Sequence, residues 1–163
     1  MDYSAEDAKF MMMAIKLSED NIDSGGGPFG AVIVRDGEVI ATGTNRVVPN
    51  ADPTAHAEVM AIRDACKNIN SYDLSGCELY TSCYPCPMCL SAIIWANIKK
   101  VYYGNTKEDA AEIGFRDDFI YDFIGKISKN NDDISVLDLE AMDREETIEE
   151  FNKFKNKEDK TIY

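Results

Sequence analysis

The sequence predicts an α/β sandwich around a mixed sheet. Two observations carry this: an early Asp36-Gly37 pair between β-rich runs, and an alternation of helical and strand-like patterns after it. At 163 residues the chain suits one domain that buries most of its apolar surface without staples. A hydrophobic share of 45% fits a globular fold. No apolar run approaches the roughly 18 residues that suggest a spanning helix.

Ala8, Met11, Met12, Ile15 and Ile22 recur at helical spacing among acids and lysines, predicting a first helix over Ser4–Ile22. Within it Met11–Met13 are expected to fill gaps in the core. GGGPFG (25–30) breaks that helix. Ala31–Arg35 and Glu38–Thr44 form the expected hairpin around Asp36-Gly37. Asp52-Pro53-Thr54 ends a loop, with Thr54 or a neighbour capping a helix that runs to about Lys67. Glu78–Ser82 reads as a strand, and Pro85 suits the first residue of a helix ending near Ala96. Lys100–Gly104 is a further strand, then Thr106–Ile113 and Asp117–Ile124 read as short helices. Ile134–Leu139 is the expected last strand, followed by an acidic helix and a polar tail.

A net charge of −13 argues against polyanionic partners. Nucleic-acid binders gain most of their affinity by neutralising phosphates, which needs a basic face. Here DLEAMDREETIEE (138–150) carries seven acids and one arginine. A small substrate is expected, with neither nucleic acid nor membrane as partner. The acidic start MDYSAED lacks the basic and apolar regions of a signal peptide, so a cytoplasmic location is expected. In a reducing compartment, clustered cysteines serve metals or catalysis more often than disulfides.

The single histidine, His56, lies in PTAHAEVMAIR, with Glu58 two residues on at a helix start. Some thirty residues later Cys86 and Cys89 stand in PCPMC, again at a helix start. One imidazole and two thiolates supply the three protein ligands of a catalytic zinc site and leave one position for water. A helix N-terminus lowers thiol pKa and favours metallation. Glu58, at the irregular first turn, can sit beside the metal-activated water as acid and base without being a ligand. H-x-E followed by P-C-x-x-C is the zinc-deaminase pattern. A CxxC redox couple would not need the His-x-Glu. A structural zinc could recruit Cys83 as a fourth ligand, closing the site and idling Glu58. Cys66 and Cys77 read as small core residues.

Beyond the metal motifs, the chain resembles the cytidine-deaminase superfamily and, within it, the bacterial guanine deaminases. The likeness rests on GGPFGAVIV (26–34), ADPTAHAEVMAIRDAC (51–66), LYTSC (79–83), PCPMCL (85–90), IIWA (93–96) and DAAEIGFRDDFIY (109–121). It implies a three-layer sandwich with a five-stranded mixed sheet between helices. It also implies a homodimer whose C-terminal segment (about 140–163) is exchanged between subunits. By the same resemblance His56, Cys86 and Cys89 hold zinc, and Glu58 shuttles protons. Asn45, the backbone of Ala57, Phe29 and Trp95 line a purine pocket, Asp117 binds the base or assists proton transfer, and Tyr163 reaches the partner's pocket. Tyr84 stands where many relatives carry glutamate before Pro-Cys. The residues alone leave structural roles open for Asn45 as a strand terminator, Trp95 as core and Asp117 as a helix cap.

The implied reaction is hydrolysis of guanine to xanthine and ammonia by a zinc-activated water, with a free purine base as substrate. Guanosine, cytosine or an aminotriazine would suit the same chemistry, and tRNA adenosine editing is a further alternative. A zinc-stabilised interaction domain without activity is the alternative from outside enzymology.

Overall fold

The computed structural model describes residues 3–129 and 135–162. The chain divides into two compact units, Met1–Tyr121 and Asp122–Tyr163. In the first, helix α1 (Ala5–Asp23) opens on a reciprocal cap. Ser4 Oγ accepts the Asp7 N–H at 3.1 Å, and the Ser4 N–H donates to Asp7 Oδ2 at 2.6 Å. The helix buries Phe10 and Ala14. The methionine run does not go with them: Met12 and Met13 are 61% and 39% exposed. Successive helical residues turn about 100° apart, so three in a row cannot share one face.

Strands β1 (Gly30–Arg35) and β2 (Glu38–Thr44) form the expected hairpin. Asp36 and Gly37 take φ of 52° and 79°, the left-handed pair that a tight two-residue turn requires. A short helix α2 (Val47–Asn50), which the sequence did not suggest, precedes α3 (Ala57–Ile69). Strand β3 (Cys77–Cys83), helix α4 (Pro87–Trp95) and strand β4 (Lys100–Asn105) follow. The sheet order is β2-β1-β3-β4, with β1 antiparallel to both neighbours and β3 parallel to β4. A parallel pair needs a crossover, and α4 is that crossover.

Side chains alternate across the sheet. Val32, Val34 and Tyr80 meet Phe10 and Ala14 of α1 on one face. Ala31, Ile33, Cys77 and Leu79 meet Ala57, Ala61 and Ala65 of α3 and Ile93 of α4 on the other. The first unit is therefore the three-layer sandwich expected. The buried Tyr80 hydroxyl donates to Asp7 Oδ1 at 2.6 Å and ties α1 to the sheet.

The fifth strand expected over Ile134–Leu139 does not form among the described residues. Residues 135–136 are a turn, 137–139 have no regular structure, and Ile134 lies outside the described residues. Strand preference depends on a neighbouring strand to pair with, and these residues pair with none in the four-stranded sheet. Helices α5 (Lys107–Glu112) and α6 (Asp117–Ile127) lie close to the expected ranges. In the second unit the acidic helix α7 (Arg144–Lys155) buries no residue. Leu139, Met142, Phe151 and Ile162 are all well exposed there.

Candidate active site

Gly43 of β2 lets α3 approach the sheet closely. A Cβ at Gly43 would run into the Ala57 carbonyl oxygen and the Ala61 N–H. The start of α3 is thereby pressed onto the strand ends. Its cap position is His56 itself, in extended backbone. Thr54 is engaged elsewhere, donating through Oγ1 to Asp52 Oδ1 at 2.7 Å. The second metal turn also begins later than expected, at Pro87 rather than Pro85. A residue before proline is pushed out of the helical region, so Cys86 becomes the cap and Pro87 the first helical residue. Cys86 Sγ accepts the Cys89 N–H at 3.4 Å.

These two helix starts bring the three predicted ligands together. Cys86 Sγ and Cys89 Sγ lie 3.5 and 3.6 Å from His56 Nδ1. The three ligand atoms fall within 4.8 Å of one another. An ion bonded tetrahedrally at ~2.3 Å to sulfur and ~2.0 Å to nitrogen would hold such atoms about 3.6 Å apart. One nitrogen and two sulfurs at this spacing fit zinc with a position to spare. The Cys86 thiol is pulled down, first by its hydrogen bond with Cys89 and then by His56, while its hydrogen bond with Cys86 pushes the Cys89 thiol up. His56 is raised in turn, chiefly by Cys86.

Cys83 is not a fourth ligand. It ends β3, and its Sγ points to the Thr106 carbonyl at 3.6 Å. Burial pushes its thiol up to about 11.

Glu58 is buried beside the ligands and is not one of the converging set. Thr81 Oγ1 donates to its Oε1 at 3.1 Å, and Cys89 Sγ donates to its Oε2 at 3.4 Å. Burial raises its pKa, favouring the protonated form.

The structure brings most of the other predicted residues to this end of the sheet. Asn45 is buried after β2, where its Oδ1 accepts the Val47 N–H at 3.2 Å and its backbone N–H donates to Phe29 O. Ala57 is the first residue of α3, so its N–H has no acceptor within the helix. Phe29 is half-buried and meets the Phe115 ring edge-on at 4.8 Å between centroids. Asp117 opens α6. Burial raises its pKa, and Cys86 and His56 lie close enough to push it up and down respectively. Trp95, at the end of α4, is 63% exposed, which excludes the core role. Tyr163 lies outside the described residues.

Three residues near the site went unnamed in the sequence. Thr81 shares a strand face with Cys77 and Leu79, a period-two signal that aims it at α3. Phe115 closes over Phe29. Tyr121, one helical turn beyond Asp117, donates to the Pro85 carbonyl at 2.8 Å. A groove of about 520 Å³ lined by Tyr3, Met11, Met12 and Tyr102 lies with α1 and carries none of these groups. Among the described residues no helix is long and apolar enough to cross a membrane.

Residues 4–105 match the family described as the cytidine and deoxycytidylate deaminase zinc-binding region. Over 118 residues the chain is 57% identical to a guanine deaminase of Bacillus subtilis (strain 168), spanning 72% of this chain and 76% of that protein. The X-ray structure of guanine deaminase from Bacillus subtilis superposes with a TM-score of 0.88 at 46% identity, covering 96% of this chain and 98% of that one. A tRNA-specific adenosine deaminase of Aquifex aeolicus (strain VF5) is 42% identical over 94 residues, 58% of this chain and 62% of that protein.

Proposed function

The chain belongs to the cytidine and deoxycytidylate deaminase zinc-binding family, and from that premise we propose that it hydrolyses guanine to xanthine and ammonia. The observation that carries this is the convergence of His56 Nδ1 with two thiols beside a buried carboxylate outside the ligand set. The superposition on that guanine deaminase covers 96% of the chain, well beyond the metal motifs. The match to the tRNA enzyme is shorter, and a net charge of −13 leaves little to neutralise a tRNA backbone.

When bound, zinc supplies the Lewis acidity that makes water a nucleophile near neutral pH. Glu58 takes a proton from the attacking water and delivers it to a ring nitrogen of the base. Water's oxygen bonds to C2. Glu58 then carries the second proton to the departing amine, so that ammonia leaves and xanthine remains. Thr81 holds Oε1 during both transfers, which leaves Oε2 on the side of the thiols. Phe29, with Phe115 behind it, stacks against the purine. The Nδ2 of Asn45 and the N–H of Ala57 donate to its polar edge, Asp117 accepts from it, and Trp95 closes the rim.

A homodimer with an exchanged C-terminal segment completes this reading. It is supported by the apolar residues that each unit leaves exposed: Ile94 and Trp95 in the first, Leu139, Met142, Phe151 and Ile162 in the second. Free thiols as metal ligands suit a reducing cytoplasm. Deleting Thr161–Tyr163 should raise the KM for guanine roughly 3- to 10-fold, the worth of one lost polar contact. Zinc content and dimerisation should not change. Unaltered kinetics in the deletion variant would remove Tyr163 from the pocket.

Ammonia release from guanine, guanosine, cytosine, an aminotriazine and adenosine-containing tRNA tests the substrate. Guanine should lead the panel by kcat/KM. Faster release from any other member would reassign the pocket, and release from none would leave the interaction-domain reading.

A further inference from the structure

Helix α6 brings Asp117 to the zinc site, yet it buries no residue of its own. Phe119 and Ile120 on it are 47% and 41% exposed. Something other than core packing must hold its first turn in place. Tyr121 is the last residue of the first unit and stands four positions after Asp117. Residues four apart share a helix face, so Tyr121 and Asp117 look the same way. The Tyr121 hydroxyl donates at 2.8 Å to the carbonyl of Pro85. That carbonyl belongs to the peptide group whose nitrogen is Cys86, a zinc ligand. The ring is held as well as the hydroxyl. Lys107 Nζ lies 5.5 Å above it, and Tyr84, itself edge-on to Tyr103 at 5.0 Å, lies 6.4 Å away.

We propose that Tyr121 is a positioning residue: its hydrogen bond to Pro85 latches α6 onto the ligand turn and so sets Asp117 and Phe115 over the base. The latch couples the substrate-binding helix to the metal turn without touching substrate or metal. A tyrosine at position 84 adds a ring to that contact, where a glutamate would place a charge against an aromatic face. The proposal rests on the guanine reading for its kinetic arm only.

The test uses zinc-loaded, full-length Tyr121→Phe, which keeps the ring and removes one hydroxyl. Hydrogen–deuterium exchange of residues 117–121 should quicken about 10-fold, with zinc content unchanged. The KM for guanine should rise about 10-fold, ~1.4 kcal/mol, while kcat stays within about 3-fold. In a cycle with Asp117→Ala, adding Tyr121→Phe should raise KM less than about 2-fold further, because the latch acts through the helix that Asp117 occupies. Tyr84→Phe, which keeps its ring and alters no hydrogen bond to Pro85, should match the unmodified protein.

Unchanged exchange in Tyr121→Phe overturns the latch. So does full additivity with Asp117→Ala, or a Tyr84→Phe variant that behaves like Tyr121→Phe. Loss of zinc from Tyr121→Phe also overturns it, since the tyrosine would then support the ligand turn itself. Should the unmodified protein release no ammonia from guanine, the substrate reading fails while the exchange measurement still decides the latch.

Discussion

Glu58→Gln is expected to remain folded, keep its zinc and lose at least ~10²-fold in deamination, the usual scale for lost acid–base catalysis. The amide has the shape of the carboxyl, so Thr81 can still donate to its carbonyl oxygen. Burial already disfavours the charged form of Glu58, so a neutral amide costs the fold little. What the amide cannot do is take a proton from water and return it to the leaving amine. Metal analysis of the purified variant, its melting temperature and its ammonia release together check the result. Zinc loss would make Glu58 a ligand, and near-normal turnover would move the proton shuttle elsewhere, Asp117 being the nearest candidate.

The zinc site was legible in the sequence because its parts are local. His56 with Glu58, and Cys86 with Cys89, each occupy one helix start, and a sheet of this topology brings helix starts to one end. The helix boundaries were less legible. Cys86 reads as helical until the rule that proline disfavours a helical predecessor is applied to Pro87, which moves Cys86 to the cap. Met11–Met13 misled for a related reason, since composition suggested core where helical geometry sends two of the three outward. Long-range partners were the hardest. Nothing near Thr81 in the chain announces Glu58, 23 positions away. Tyr121 and Pro85 are separated by 36 positions. Such contacts exist only once the sheet has fixed where β3, α3 and α6 begin. The strand expected over Ile134–Leu139 failed for the same kind of reason. A strand is a property of a pair, and no described strand lies beside residues 135–139.

Cys86→Ala or Cys89→Ala should empty the zinc site and abolish activity, whereas Cys83→Ala should leave both largely intact. All three thiols lie within seven residues, so composition does not tell them apart. Their backbone positions do. Cys86 caps α4 and Cys89 sits in its first turn, where the helix N-terminus favours negative charge and both sulfurs meet His56 Nδ1. The Cys86 thiol is pulled down by Cys89 and His56, which favours the thiolate that binds metal. Replacing either sulfur leaves two protein ligands where three are needed. Cys83 ends a strand, turns its sulfur to the Thr106 carbonyl and has its pKa raised by burial, all of which suit a protonated thiol packed beside the site. Zinc stoichiometry and guanine turnover of the three variants give the answer directly. Zinc loss from Cys83→Ala would mean a closed four-ligand site with no position for water, and the hydrolytic role of Glu58 would fall with it.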